Sequence, residues 1–378
     1  MRRRLLLYAA IATNIGVILK LNAQENVSTV VDVFQSGQDG YACFRIPAIV
    51  QSKTGNLLAF AEARKNSCSD TGDIDLVLKR SQDGGKTWSE MITVWNDSDN
   101  VCGNPSPIID QKTGRILLIS CWNLGTDNEK EIIDQDSKDT RKVFYIYSDD
   151  DGNTWSKPHE ITSTVKRNNW TWYATGPCHG IQLQNMKYNG RLVVPANHMV
   201  AGTKTYHSNI IYSDDGGETW NLGGVVSEHG GNECSVVELE NGDLMLNMRN
   251  YNREESKTRS FAISFDGGES WSEMKYLSQL IEPVCQGSTL NYAIKGKISD
   301  KLLFSNPASM DKREKMTVRL SEDNGKTWPY SRIIYPGPSA YSDLVNLSDG
   351  NIGLLYEYGT HNPYEKIGYI KISYEELK

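Results

Sequence analysis

The chain has 378 residues, 32 of them Gly and 9 Trp, with a formal net charge of −7. Its length could hold two or three average domains, and its acidic balance argues against a nucleic-acid-binding protein. The seven Cys form no C-x-x-C pair and the six His no H-E-x-x-H spacing, so no catalytic metal and no cofactor are expected.

In chain order, Arg2 to Arg4, an apolar run over residues 5–19 and Leu21-Asn22-Ala23 before Gln24 have the layout of a secretory signal, predicted over residues 1–23. A single membrane anchor is the competing reading of the same stretch. Cleavage would remove three Arg, one Lys and no acid, leaving a charge of −11. The expected location is periplasmic or secreted, with no stable membrane insertion afterwards. An odd Cys count precludes complete internal pairing. Most Cys are expected as small buried residues, with one or two bridges open.

A strand is predicted near residues 27–34, then an unusual one in which Phe44-Arg45-Ile46-Pro47 places an Arg and a Pro among apolar residues. Taken alone, Arg45 reads as a buried structural cation paired to a carboxylate. Five copies of Ser-x-Asp-x-Gly-x-[Ser/Thr]-Trp follow, starting at Ser81, Ser148, Ser213, Ser264 and Ser321, with spacings of 67, 65, 51 and 57 residues. Ser and Asp can bond nearby backbone N–H groups, Gly accepts positive φ, and the terminal Trp offers an apolar plate for the next sheet. Each copy is therefore a self-supporting turn at the end of an apolar, β-branched strand.

A second repeat, a turn followed by an apolar strand, begins near Gly55, Gly114, Gly190, Gly242, Asp300 and Gly350, which makes six units against five turns. The sixth is expected to be completed by the early strand. The predicted fold is all-β: one closed domain over residues 24–378, a six-bladed propeller of four-stranded antiparallel blades.

Phe-Arg-Ile-Pro followed by several such boxes resembles the bacterial exo-sialidases (neuraminidases) along nearly the full length after the signal. The resemblance implies a carboxylate-binding triad of Arg45, Arg249 in Asn247-Met248-Arg249-Asn250, and Arg313. It implies a nucleophile at Tyr341, a carboxylate that polarises it at Glu233, and an acid/base at Asp70. Asp73 and Asp75 compete with Asp70 in the same run, but strand alternation puts them on one face while Asp70 falls in the preceding loop. The family also places a carboxylate and a substrate-facing Arg at Glu62 and Arg64. Glu62 is expected to orient Arg45, with a plain surface ion pair as the alternative. Asn104 and the aromatic stretch 170–179 are candidates for shaping the pocket, although inter-blade packing is the commoner role of such aromatics.

Each assignment has a chemical reason. Sialic acid carries a carboxylate on its anomeric carbon, which suits charge-assisted and partly bidentate bonds from fixed guanidiniums. An anionic nucleophile there would meet repulsion of roughly 4 kcal/mol at ~4 Å and an effective dielectric near 20. A neutral tyrosine avoids most of it, and sialidases are known among glycoside hydrolases for that choice. A phenol with a pKa of about 10 then needs a nearby base. The expected function is release of terminal sialic acid from glycoproteins, glycolipids and oligosaccharides, with retention. A non-catalytic sialic-acid-binding propeller and a trans-sialidase or intramolecular trans-sialidase are the alternatives. The acidic stretches 96–100 and 127–139 lack the ordered ligand spacing of a calcium loop and are expected to be solvated inserts.

Overall fold

A computed structural model describes residues 29–293 and 296–378. The signal segment at 1–23 lies outside the described residues, as does the beginning of the expected closing strand. Among the described residues the fold is all-β, with two short helices and a terminal 3-10 turn. Strand pairing gives four sheets, of seven, five, four and eight strands, within which a run of four antiparallel strands, here called a unit, recurs six times among the described residues. The first unit contains Cys43–Gln51, Leu57–Arg64, Ile74–Ser81 and Ile92–Trp95. The second contains Val101–Ile109, Ile116–Asn123, Lys142–Ser148 and His159–Glu160.

Trp170–Thr175, Leu192–Val200, Tyr206–Ser213 and Asn221–Val225 form the third, and Gly231–Glu238, Leu244–Asn250, Thr258–Ser264 and Lys275–Ile281 the fourth. The fifth runs Ser288–Asn291, Leu302–Pro307, Glu314–Ser321 and the first half of the 17-residue strand Tyr330–Asn346. That strand's second half opens the sixth unit, followed by Ile352–Tyr358 and Lys366–Ile372. Val31–Gln35 pairs antiparallel with Lys366–Ile372 and supplies the sixth unit's fourth strand, as the sequence predicts. The second strands are those expected from the turn-strand repeat.

Side chains stitch the units in order. Thr175 Oγ1 donates to the Asn104 carbonyl, Asn232 Nδ2 to Asn197 Oδ1, and the Thr289 and Leu344 N–H groups to Ser235 and Ser288 Oγ. The Ile49 N–H donates to Asp343 Oδ2 at 2.9 Å, which joins the sixth unit to the first. The core lies between adjacent sheets. Ala48, Leu58, Phe60 and Leu78 of the first unit meet Ile109, Ile116, Leu118 and Ile146 of the second. Burying a side chain such as Phe60 completely is worth about 1.5–3 kcal/mol.

The five boxes share one geometry. In the third copy Ser213 Oγ donates to Asp215 Oδ1 at 2.8 Å, the Gly217 N–H to Ser213 Oγ at 2.9 Å, and Thr219 N–H and Oγ1 to Asp215 at 2.9 and 2.6 Å. Gly217 has φ +92°, and a Cβ there would meet Leu117 at 2.7 Å, so both the turn and the close approach require glycine. One expectation is corrected: the boxes pack on the preceding sheet, not the next. Trp155 stacks edge-on against Phe60 of the first unit at 5.7 Å, and Trp88 against Tyr369 of the sixth at 5.4 Å.

Among the cysteines, Cys43 and Cys68 form a disulfide and Cys102, Cys121, Cys178, Cys234 and Cys285 are free and buried. No helix among the described residues is long and apolar enough to cross a membrane.

Candidate active site

Because strands alternate in direction, the start of each first strand and the end of each second strand lie opposite the boxes. At that end the first strands are irregular. Register shifts fall between Arg45 and Ala48, Gly103 and Ser106, Trp170 and Tyr173, Gly231 and Cys234, and Ser339 and Ser342. Such bulges re-aim side chains. Two of them carry a left-handed residue before a proline: Ile46 at φ +59° and Asn104 at φ +55°. For a β-branched residue this is a costly conformation, and the Ile46 N–H is held by Glu357 Oε1 at 2.9 Å.

These strands border one cavity of about 340 Å³, and all nine residues singled out in the sequence line it: Arg45, Glu62, Arg64, Asp70, Asn104, Glu233, Arg249, Arg313 and Tyr341. At its floor the buried Tyr341 donates its hydroxyl to Glu233 Oε1 at 2.6 Å. Arg249 Nη1 donates to Glu233 Oε2 at 2.6 Å and to the Tyr341 hydroxyl at 3.1 Å. Desolvation, followed by the Glu233 charge, pushes the Tyr341 phenol well above its ordinary pKa, against the pull of Arg249 and Arg313. The resting phenol is therefore protonated, with its acceptor already in place.

The three arginines come from the first, fourth and fifth units. Arg45 is buried, with its guanidinium 5.2 Å from the Tyr341 ring centre and 3.9 Å from that of Tyr364. Arg313 lies 5.5 Å from the Tyr341 ring and donates to the Tyr364 hydroxyl at 2.9 Å. Fixed guanidiniums around one phenol make a site for a planar anion.

The expected role of Glu62 is corrected. Arg45 Nε donates to Glu357 Oε1 at 2.7 Å, and Glu357, with no exposed surface, also accepts the Tyr341 N–H at 3.1 Å. Glu357 thus fixes the arginine and the tyrosine backbone together. Glu62 instead grips Arg64 at 2.6 and 3.0 Å and accepts the Asn104 N–H at 2.7 Å. This is a buried ion pair and not a surface one.

Asp70 lies in the loop after Arg64, with its side chain 71% exposed and paired to Arg64 Nη1 at 2.7 Å. Desolvation opposes the shift, but the Arg64 and then the Arg45 charge hold its carboxyl below the usual range. The competing carboxylates do not border the cavity. Asp75 is held by the Tyr41 hydroxyl at 2.5 Å and Asn96 at 2.6 Å.

Stretch 170–179 divides its aromatics. Trp170 and Tyr173 are core, whereas Trp172 lines the cavity under the guanidinium of Arg141, 4.1 Å from its ring centre. Arg141 is buried and bonds Asn104 Oδ1. The stretch 127–139 is more than a solvated insert. Asn128 caps a short helix, Glu129–Asp134, in a reciprocal capping box, and Glu129 faces the cavity, accepting the Tyr206 hydroxyl at 2.5 Å. The capping pattern Asn-x-x-Glu at Asn128 and Glu131 is the local signal that predicts this helix. Glu357 and Arg141 have no comparable signal. Among the described residues no group of three or more His, Cys, Asp or Glu is placed to hold a metal ion.

Residues 55–354 match the family described as a BNR repeat-like domain. A sialidase of Bacteroides fragilis is 34% identical over 86% of this chain and 62% of its own length, and one of Micromonospora viridifaciens 32% identical over 89% and 53%. The chain therefore spans between half and two thirds of those two relatives. An exo-alpha-sialidase of Aspergillus fumigatus is 31% identical over 84% of this chain and 79% of its own. Among solved structures, the Hadza microbial sialidase Hz136 superposes with a TM-score of 0.82 at 31% identity, covering 93% of this chain and 69% of that one. The leech intramolecular trans-sialidase shares the fold at 22% identity and a TM-score of 0.74, covering 92% and 71%. The match across most of its length places the chain in the sialidase family built on the BNR repeat-like domain.

Proposed function

We propose that the chain is an exo-α-sialidase: a single-domain, six-bladed β-propeller over residues 24–378 that releases terminal sialic acid from glycoconjugates with retention of configuration. The observation that carries this reading is the Tyr341 to Glu233 hydrogen bond of 2.6 Å in a cavity lined by Arg45, Arg249 and Arg313. The six four-stranded units, stitched from the sixth back to the first, support the propeller.

In the first step the Tyr341 oxygen attacks the anomeric carbon as Glu233 takes the phenolic proton. The glycosidic bond breaks, and Asp70 gives its proton to the departing oxygen. In the second step water attacks the same carbon from the side just vacated. Asp70 takes the water proton, the bond to Tyr341 breaks, and Glu233 returns the proton to the phenolate. Two inversions give net retention. The arginines hold the substrate carboxylate throughout, so the carbon under attack keeps its charged substituent neutralised locally although the protein is acidic.

The same pair argues against a binding module without chemistry, since a lectin has no use for a phenol bonded to a buried carboxylate. We also propose export to the periplasm or beyond, in line with the signal layout at residues 1–23 and the Cys43–Cys68 disulfide. The test is NMR product analysis on 3′- and 6′-sialyllactose. α-Sialic acid as first product supports hydrolysis with retention. A 2,7-anhydro product would assign the intramolecular reaction, β-sialic acid would refute the tyrosyl intermediate, and no product from either would remove the enzymatic reading.

A further inference from the structure

Two residues before Arg45 and two before Asp70 stand the halves of the Cys43–Cys68 disulfide, whose Cα atoms are 5.2 Å apart. The two ends differ. Cys43 is buried at the start of a strand, with its Sγ 3.9 Å from the carbonyl of Tyr364, the residue packed on Arg45. Cys68 is exposed and lines the cavity. The disulfide therefore ties the strand carrying the carboxylate-binding Arg45 to the loop carrying the proton donor.

That loop, residues 65–73, has neither helix nor strand, and every residue from 65 to 70 is exposed. Its internal bonds are local, from the Ser69 and Thr71 N–H groups to Ser67 and Ser69 Oγ. The Lys65 N–H closes its base on the Asp73 carbonyl, and it is tied to the scaffold by Arg64 Nη1, which reaches the Cys68 carbonyl and Asp70 at 2.7 Å each, by the Ala42 N–H to the Lys65 carbonyl at 3.3 Å, and by the disulfide. An ion pair with one partner 71% exposed is a weak restraint. A misplacement of about 1 Å costs a positioned catalytic group on the order of 100-fold.

We infer that the Cys43–Cys68 disulfide is the positioning element for Asp70, holding the proton donor at the glycosidic oxygen so that substrates with poor leaving groups are cleaved. The inference rests on the sialidase reading above. It makes a chemical distinction that mere destabilisation would not. An aryl sialoside departs as a stabilised phenolate and needs little protonation. Lactose departs as an alkoxide unless an acid is in reach, so its release depends on where Asp70 sits. The ratio kcat/KM isolates this first step, because water attack comes after the aglycone has left.

The experiment compares kcat/KM for 3′-sialyllactose and 4-nitrophenyl sialoside in three forms: oxidised wild type, wild type reduced with dithiothreitol, and Cys43→Ser/Cys68→Ser. In the reduction the dithiol gives up two electrons and two protons, the S–S bond breaks to two thiols, and the reagent closes to its cyclic disulfide. Both altered forms should lose about tenfold or more on sialyllactose and stay within about twofold on the aryl substrate. Asp70→Asn should share that direction, losing more on sialyllactose than on the aryl substrate. Binding of 2,3-didehydro-2-deoxysialic acid, which needs the arginines and not the acid, should change little. Equal loss on both substrates, or loss on neither, overturns the inference. Should the double variant fail to fold, the dithiothreitol arm decides, with inhibitor binding as the check on the fold. An oxidised wild type that cleaves neither substrate would instead remove the sialidase reading.

Discussion

Each four-stranded unit has two ends built on opposite terms. At the box end five turns repeat one set of hydrogen bonds nearly atom for atom, and their glycines press on the sheet behind. At the other end five first strands share one bulge, a step of three residues against two, but each presents different side chains there. One bulges at Arg45, another at Asn104, and the strand of the sixth unit bulges just where it delivers Tyr341. Repetition at one end seats each turn on the sheet before it in the same way. A bulge at the other, filled with a different side chain in each strand, is what lets residues from separate units meet around a single phenol.

If that division holds, variants at the two ends should differ in kind. The largest effect is expected at the irregular end, where Tyr341→Phe should lower turnover of an aryl sialoside on the order of 10⁴-fold or more while inhibitor binding and the thermal transition stay close to wild type. Near-normal turnover would take the nucleophile away from Tyr341. Next comes Glu357→Ala, which strips the carboxylate from Arg45, the Ile46 N–H and the Tyr341 N–H at once. Leaving that cation buried and unpaired should cost about 3–5 kcal/mol in urea unfolding and weaken inhibitor binding as well. A variant as stable as wild type would show that Arg45 has another anchor.

At the repetitive end, Asp215→Ala removes the acceptor of Ser213 and Thr219 and should cost about 1–3 kcal/mol with kcat/KM unchanged. Loss of activity without loss of stability there would break the division of labour. The smallest expected effect concerns pH. The Arg64 charge works against desolvation to hold the Asp70 carboxyl low. A group that must be protonated to act loses activity as pH rises through its pKa. Arg64→Met should therefore raise that pKa and move the alkaline limb of kcat/KM for sialyllactose to higher pH. A shift to lower pH would assign the limb to another group.

The box end is legible in the sequence because its bonds span four residues, from Ser81 to Gly85 or Asp83 to Thr87. The site end was legible only where a motif matched a known family, as at Arg45 and Tyr341. Glu357 escaped because its partner Arg45 stands 312 residues away, and nothing in Tyr356-Glu357-Tyr358 marks a buried anchor. Arg141 escaped for the same reason, being fixed by Asn104 and Trp172 from two other strands. The disulfide could not be assigned from seven scattered cysteines, since pairing depends on the folded distance between strand and loop. Glu129 was hidden by composition: an acidic run looks solvated until its capped helix turns one carboxylate inward.

The seam where Val31–Gln35 joins Lys366–Ile372 has a consequence in time. Arg45 belongs to the first unit, while Glu357 and Tyr341 belong to the last, so the anion pocket is split across the one junction that sequential growth of the chain cannot close early. Until the final hairpin has emerged, Arg45 has no carboxylate partner and Tyr341 no neighbouring cation from the first unit. If the proposed propeller and its site hold, turnover reports the joining of the last unit to the first. In refolding, regain of turnover should coincide with the slowest long-range step and trail the appearance of β-structure, and a chain released before residue 357 should show no turnover.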